Sequence, residues 1–74
     1  MDEKQFKHEM AKAKTFWDKE ANKDYWHGYI RGLRRRYYGK NFGTDEEHVQ
    51  WMNMIDDKDR EQLGRGYRDG YNKQ

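Results

Sequence analysis

Seventy-four residues are enough for one domain and no more, and a core of that size is marginal without help. With no Cys there can be no disulfide and no thiolate metal ligand, which points to a reducing compartment. Sixteen Lys and Arg against 14 Asp and Glu leave a net charge of only +2, so any charge-driven function must come from how the charges are distributed.

Leu, Ile, Val and Phe number only eight, a composition in which disorder is the default. The aromatic content of 16% argues the other way. Each buried aromatic ring takes roughly 150–250 Å² out of water, so a few rings can replace many aliphatics. The expected core is therefore Trp, Tyr, Phe and Met. No apolar run approaches the roughly 20 residues of a membrane span. Lys4 and Lys7 precede no apolar stretch, so no signal peptide is expected and the cytoplasm is the expected setting.

Along the chain, Phe6, Met10, Ala13, Trp17 and Ala21 recur at spacings of four, three, four and four. That period predicts a first helix from residue 3 to about residue 22, with Phe16 widening its apolar face. Its balanced charges suit a solvated outer face. A second helix is predicted from about Tyr25 to Tyr38, capped by Asn22 or Asp24 and striped by Trp26, Ile30, Leu33 and Tyr37. Gly39 is its expected stop. With no Pro or Gly between them, the first two helices could also run on as one. Lys40 to Gly43 form a loop. Thr44-Asp45-Glu46-Glu47 reads as a capping box for a third helix, about Asp45 to Met54, with Val49, Met52 and Ile55 facing inward. Asp56 or Asp57 is expected to cap a fourth helix from about Lys58 to Tyr71, striped by Leu63, Tyr67 and Tyr71. The last three residues are expected to fray.

Seven glycines in a helical chain need a reason, because an interior one costs about 1 kcal/mol against Ala. Gly28 and Gly32 lie one turn apart on one helix, and Gly66 and Gly70 do the same on another. Each pair sits in a Gly-Tyr-x-x-Gly segment. The pairs predict that the second and fourth helices cross with their backbones in close approach. The alternative is that Gly64 and Gly66 simply break the last helix.

Catalytic chemistry has little to stand on. Without Ser or Cys a covalent nucleophile would have to be Thr, Lys or a carboxylate. His8, His27 and His48 fall on different helices. Asp24–His27 and Asp45–His48, at i,i+3, are weak metal pairs, and Asp56 and Asp57 read as caps. No enzymatic activity, metal, cofactor or small-molecule substrate is expected.

The charge pattern is more informative. Tyr25 to Gly43 carries five bases (Arg31, Arg34, Arg35, Arg36, Lys40), no acid, and six of the twelve aromatics. Thr44 to Gln62 carries seven acids against two bases. Arg31, Arg34 and Arg35 fall largely opposite the apolar stripe of the second helix, and Arg36, Tyr37, Tyr38 and Lys40 extend the surface. Arg65 and Arg68 would join it if the helices cross. Arginine forks bind phosphate and tyrosines stack on bases, so this is the footprint expected of a nucleic-acid or nucleoprotein surface. Reversing Arg34 and Arg35 together would then abolish binding without lowering stability. Three other readings stand beside it. The acids can pair with the arginines inside the fold, the complementary patches can bind a partner protein or a second copy with no nucleic-acid contact, or the acidic patch can mimic nucleic acid in a basic groove of a partner protein.

The segment Gly28 to Met52 resembles a pattern in small uncharacterised proteins of phages and integrated mobile elements. There a Gly-Tyr-x-x-Gly-Leu-Arg-Arg helix precedes Phe-Gly-Thr and an acidic helix start containing His. The resemblance implies a small accessory factor, of the kind that includes anti-CRISPR inhibitors, acting by binding a nucleoprotein complex. It brings no catalytic or ligand residues. The expectation as a whole is an all-α bundle of three to four helices with short loops and an aromatic core. It would bind a macromolecular partner without catalysis, through Arg31, Arg34, Arg35, Arg36, Tyr37, Tyr38, Lys40, Arg65 and Arg68.

Overall fold

Three of the four helices begin where a short polar side chain closes the first turn. In the computed structural model, which describes residues 1–19 and 22–73, the order is α1 Glu3–Lys19, α2 Lys23–Tyr38, α3 Asp45–Asn53 and α4 Glu61–Tyr71. Short 3₁₀ turns, Gly39–Asn41 and Met54–Asp56, follow α2 and α3. The Oδ1 of Asp2 accepts from the Gln5 amide at 2.7 Å, that of Asn22 from Tyr25 at 3.3 Å, and Thr44 Oγ1 from Glu47 at 3.1 Å. Each satisfies an amide that the first turn leaves without a partner. Gly39 ends α2 with a positive φ of 61°, the conformation glycine adopts at least cost. The fold is all-α, as the periodicities predict.

The fourth helix departs from its predicted start. Asp57 does not cap it: its carboxylate accepts from the Asp59 amide at 3.0 Å, and its carbonyl accepts from the Arg60 amide at 3.0 Å. That local turn holds 57–60 out of the helix, so α4 begins at Glu61 rather than Lys58. Beyond α4, Asn72 donates to Arg68 O at 2.9 Å, Lys73 donates to Gly70 O at 3.2 Å, and the Lys73 ammonium lies 3.8 Å from Glu9. Asn72 and Lys73 are thus tied down, against the expected fraying, and Gln74 lies outside the described residues. So do Glu20 and Ala21, on which the end of the predicted first helix falls.

α2 is the central helix. Phe6 stacks on Tyr37 with ring centroids 4.2 Å apart, and ten residues later Phe16 stacks on Trp26 at 4.8 Å. The order reverses, so α1 and α2 are an antiparallel pair and not one continuous helix. Between them lies the core of Phe6, Met10, Ala13, Tyr29, Ile30 and Leu33, with Trp17, Trp26 and Tyr37 packed against it.

On its other side α2 runs parallel to α4 over two turns of glycine contact. A Cβ on Gly28 would fall within 3.0 Å of Leu63 O and the Tyr67 amide nitrogen, and one on Gly32 equally close to Tyr67 O and Tyr71 N. From the other helix, a Cβ on Gly66 would meet Tyr25 O and Tyr29 N, and one on Gly70 would meet Tyr29 O. α4 is continuous through Gly64 and Gly66, so neither breaks it. Gly64 lets the backbone of Met54 and Ile55 lie against α4 in the same way. With α1, α2 and α4 side by side, the molecule is flat, 34 × 30 × 17 Å.

α3 reverses the chain between α2 and α4 but buries no residue completely. Of the residues predicted to face inward, Met52 and Ile55 are half-buried but Val49 is not. Val49 is 55% exposed. His48 and Trp51 turn inward instead, with ring centroids 5.6 Å and 5.4 Å from Tyr67. Flat rings at i and i+3 cover more of Tyr67 than the small Val49 side chain one position away could.

Candidate functional site

The basic and acidic blocks meet inside the molecule. Arg35 is 8% exposed, enclosed by the loop after α2 and the start of α3. Its guanidinium donates to Phe42 O at 3.2 Å, Thr44 O at 3.4 Å and Asp45 Oδ1 at 2.8 Å. It therefore clamps the loop after α2 and the start of α3. That hydrogen bond, with the charge of Lys40 at 4.0 Å, holds the Asp45 carboxyl below the usual carboxylate range. Arg31 pairs with Glu47 at 3.1 Å and lies over the rings of Phe42 and Trp51, at 5.3 and 4.9 Å. Glu47, expected to fold back in a capping box, spends its carboxylate on Arg31.

Other predicted binding residues also turn to internal tasks. Arg68 donates to Met52 O at 2.5 Å, closing the C-terminal end of α3. Arg65 pairs with Glu61 along α4 at 2.8 Å. Neither joins an arginine surface on α2, because the parallel crossing directs them elsewhere. Tyr37 lies flat on Phe6 as part of the core packing. Tyr38 is 47% exposed. Arg34 and Arg36 have no ion-pair partner among the described residues. They stand two residues, about 200°, apart around α2, so they face different sides.

Arg34 opens onto a cleft between α1 and α2. Its volume is about 240 Å³, and it is lined by Lys14, Trp17, His27, Ile30, Arg31 and Arg34. Three cations and an imidazole border it, Arg31 being already paired with Glu47, and among the described residues no carboxylate does. The Trp17 and His27 rings are nearly parallel, 11° apart with centroids at 5.4 Å, and Ile30 lies at the base. Such a site favours an anion with an apolar or flat portion. From the sequence, Lys14 belongs to the solvated face of α1, Trp17 to its apolar face, and His27 to a weak i,i+3 pair with Asp24. The signal that could have found His27 is the spacing His27, Arg31, Arg34, Tyr38, which keeps one edge of α2, whereas Lys14 and Trp17 join it only through the packing of α1.

A larger concavity, about 710 Å³, lies on the opposite side of α1, against Phe16, Tyr25, Trp26, Tyr29 and Asp69. Its charges are matched. Lys12 and Lys73 are 3.6 and 3.8 Å from the buried carboxylate of Glu9, and the Tyr25 hydroxyl donates to Asp69. Burial, with the Glu9 charge, pushes Tyr29 up to about 12, and burial with the Asp69 bond also raises Tyr25. This groove is wide, and with the buried Glu9 behind it counted its two lysines and two carboxylates balance, so it selects less sharply than the small basic cleft.

His48 is similarly absorbed: its Nδ1 lies 2.8 Å from the Tyr67 hydroxyl, and burial, then Arg35, lowers its pKa. Among the described residues no three His, Asp or Glu gather as a metal-binding set, and no helix is long and apolar enough to cross a membrane. No family model, no curated protein and no solved structure matches this chain, so no outside assignment bears on the cleft.

Proposed function

We propose that this chain is a non-catalytic binding protein whose partner is nucleic acid, alone or within a nucleoprotein complex, in a cytoplasmic setting. The docking face on this reading is the α1–α2 cleft rather than the whole arginine block. One observation carries it: Lys14, His27, Arg31 and Arg34 border a partly apolar cleft whose lining, among the described residues, holds no carboxylate, and among those residues Arg34 has no ion-pair partner. An arginine with its fork unspent can take a phosphate in a bidentate grip. The pairing of Arg31 with Glu47 and Arg35 with Asp45 also removes much of the charge that two copies would need to join through complementary patches. The phage-borne accessory role resembled by Gly28–Met52, with a host-defence complex as target, belongs to this proposal, since such complexes carry nucleic acid.

A mobility-shift titration tests the reading. Affinity is expected to fall steeply between ~50 and ~200 mM salt as counterions are released. Arg34→Glu is expected to abolish binding with the melting temperature unchanged, while Arg36→Glu on the other side of α2 has a smaller effect. Absence of any shift at low salt would overturn it.

A further inference from the structure

We infer that the nucleic acid taken by this cleft is single-stranded, and that one edge of α2 is its track. The inference rests on the nucleic-acid reading above. His27, Arg31, Arg34 and Tyr38 stand at i, i+4, i+7 and i+11, which in a 3.6-residue helix keeps all four on one edge. His27 and Tyr38 are exposed, and Arg31 and Arg34 are half-buried. Eleven residues at 1.5 Å each make a track of about 16 Å. At about 3.4 Å per stacked nucleotide it can meet at most about five nucleotides, and fewer if the bases splay.

The track has a flat ring at each end and cations between. At one end His27 lies on Trp17, 11° from parallel. At the other, Tyr38 is braced edge-on by Phe6 at 5.5 Å and Tyr37 at 5.0 Å. Braced rings lose little freedom when a base settles on them, so they make efficient stacking platforms. Arg31 is held in place by Glu47, Phe42 and Trp51, and Arg34 is left for a phosphate. Lys14 adds a positive charge from the α1 bank.

A duplex would use only half of this arrangement. Its bases stay stacked inside, so it would meet the cations through phosphates and leave the rings and the Ile30 base of the cleft unused. The cleft, at about 240 Å³, is also smaller than the roughly 300–1,000 Å³ of ordinary ligand pockets. It suits one base or one sugar-phosphate unit of a longer chain. An unpaired strand can supply both rings and phosphates at the track's spacing.

Fluorescence anisotropy with the full chain tests this, using a short thymidine homopolymer, a uridine homopolymer and a mixed-sequence duplex of equal length at ~50 mM salt. At least one single strand is expected to bind tenfold or more tightly than the duplex. Tyr38→Ala should weaken single-strand binding about tenfold, the range of one lost base–ring stack, and leave duplex binding unchanged. Tyr38→Phe, which keeps the ring and its bracing, should restore it. Arg34→Glu should abolish both. A duplex bound as tightly as both single strands, or a Tyr38→Ala variant with full single-strand affinity, overturns the track while the nucleic-acid reading survives. Binding to none of the three removes both.

Discussion

Replacing Gly32 by Ala reverses the usual effect of that substitution. In an open helix the change is favourable by about 1 kcal/mol, since Ala is the best helix former and Gly among the worst. For a domain of this size that would raise the melting temperature by roughly 4–8 °C. Here the new methyl carbon would fall within 3.0 Å of Tyr67 O and Tyr71 N. Both are backbone atoms of α4, so no side-chain rotation relieves the overlap and the helices must part. Overpacking of this kind costs about 1–3 kcal/mol, and separating α2 from α4 also loosens buried Tyr67 and Tyr29. Overlap with two backbone atoms calls for the upper part of that range, about 2–3 kcal/mol, so against the propensity gain of about 1 kcal/mol the net loss is about 1–2 kcal/mol, a fall of roughly 4–16 °C. Gly70→Ala, whose methyl would meet Tyr29 O, should behave alike. Gly39→Ala has nothing within 4 Å and pays only for its positive φ. Thermal unfolding followed by circular dichroism decides it. A Gly32→Ala melting temperature equal to or above that of the parent refutes the close backbone crossing.

Arg35→Ala should lower stability by about 2–3 kcal/mol, because its charge-assisted bonds to Phe42 O and Thr44 O hold a loop in place. Arg34→Glu and Arg36→Glu should stay within about 0.5 kcal/mol of the parent, and urea unfolding separates the two classes. On the acid side, His48 is held below its ordinary 6.5 by burial and Arg35, so the folded state resists its protonation. Its contribution is complete above pH 6.5 and erodes as the pH falls below that value. Asp45, lowered from 3.8, loses its own contribution only as the pH falls below that. Melting temperatures across this range should therefore decline in two stages, and His48→Gln should flatten the first. On the alkaline side, Tyr29 stays protonated to about 12 in the fold against 10.0 unfolded. The contribution of Tyr29 should hold up to pH 10 and then decline, with its own ionisation lagging until unfolding. Arg68→Ala frees Met52 O, so amide exchange should quicken in α3, which buries no residue fully, and remain slow in α2.

Helix content, most caps and the aromatic core were legible because they are local. Phe6, Met10, Ala13 and Trp17 show a 3.6-residue period wherever they lie, and Asn22 and Thr44 cap through amides three residues away. The glycine pairs were legible for a related reason: two smooth faces in one short chain have few places to go but each other. The inward face of α3 was not. Its choice between Val49 and the His48–Trp51 pair depends on Tyr67, which is distant in sequence. Arg35 was misread on similar grounds. On the wheel of α2 it lies among the outward arginines, and only the loop after α2 and the start of α3 cover it. An Arg34/Arg35→Glu double change therefore tests folding and binding at once, and Arg34 alone is the cleaner probe.

The sequence by itself determined that the chain is helical, roughly where its first three helices start, and that its positive and negative charges are segregated. The tertiary structure decided which of those charges are spent. A periodicity is set by neighbours along the backbone, whereas the partner of a guanidinium is whatever lies within about 3 Å of it. The Arg31–Glu47 and Arg35–Asp45 pairs span 16 and 10 residues. Only the packing of α3 beside α2 closes those distances, and it leaves Arg34 facing the cleft.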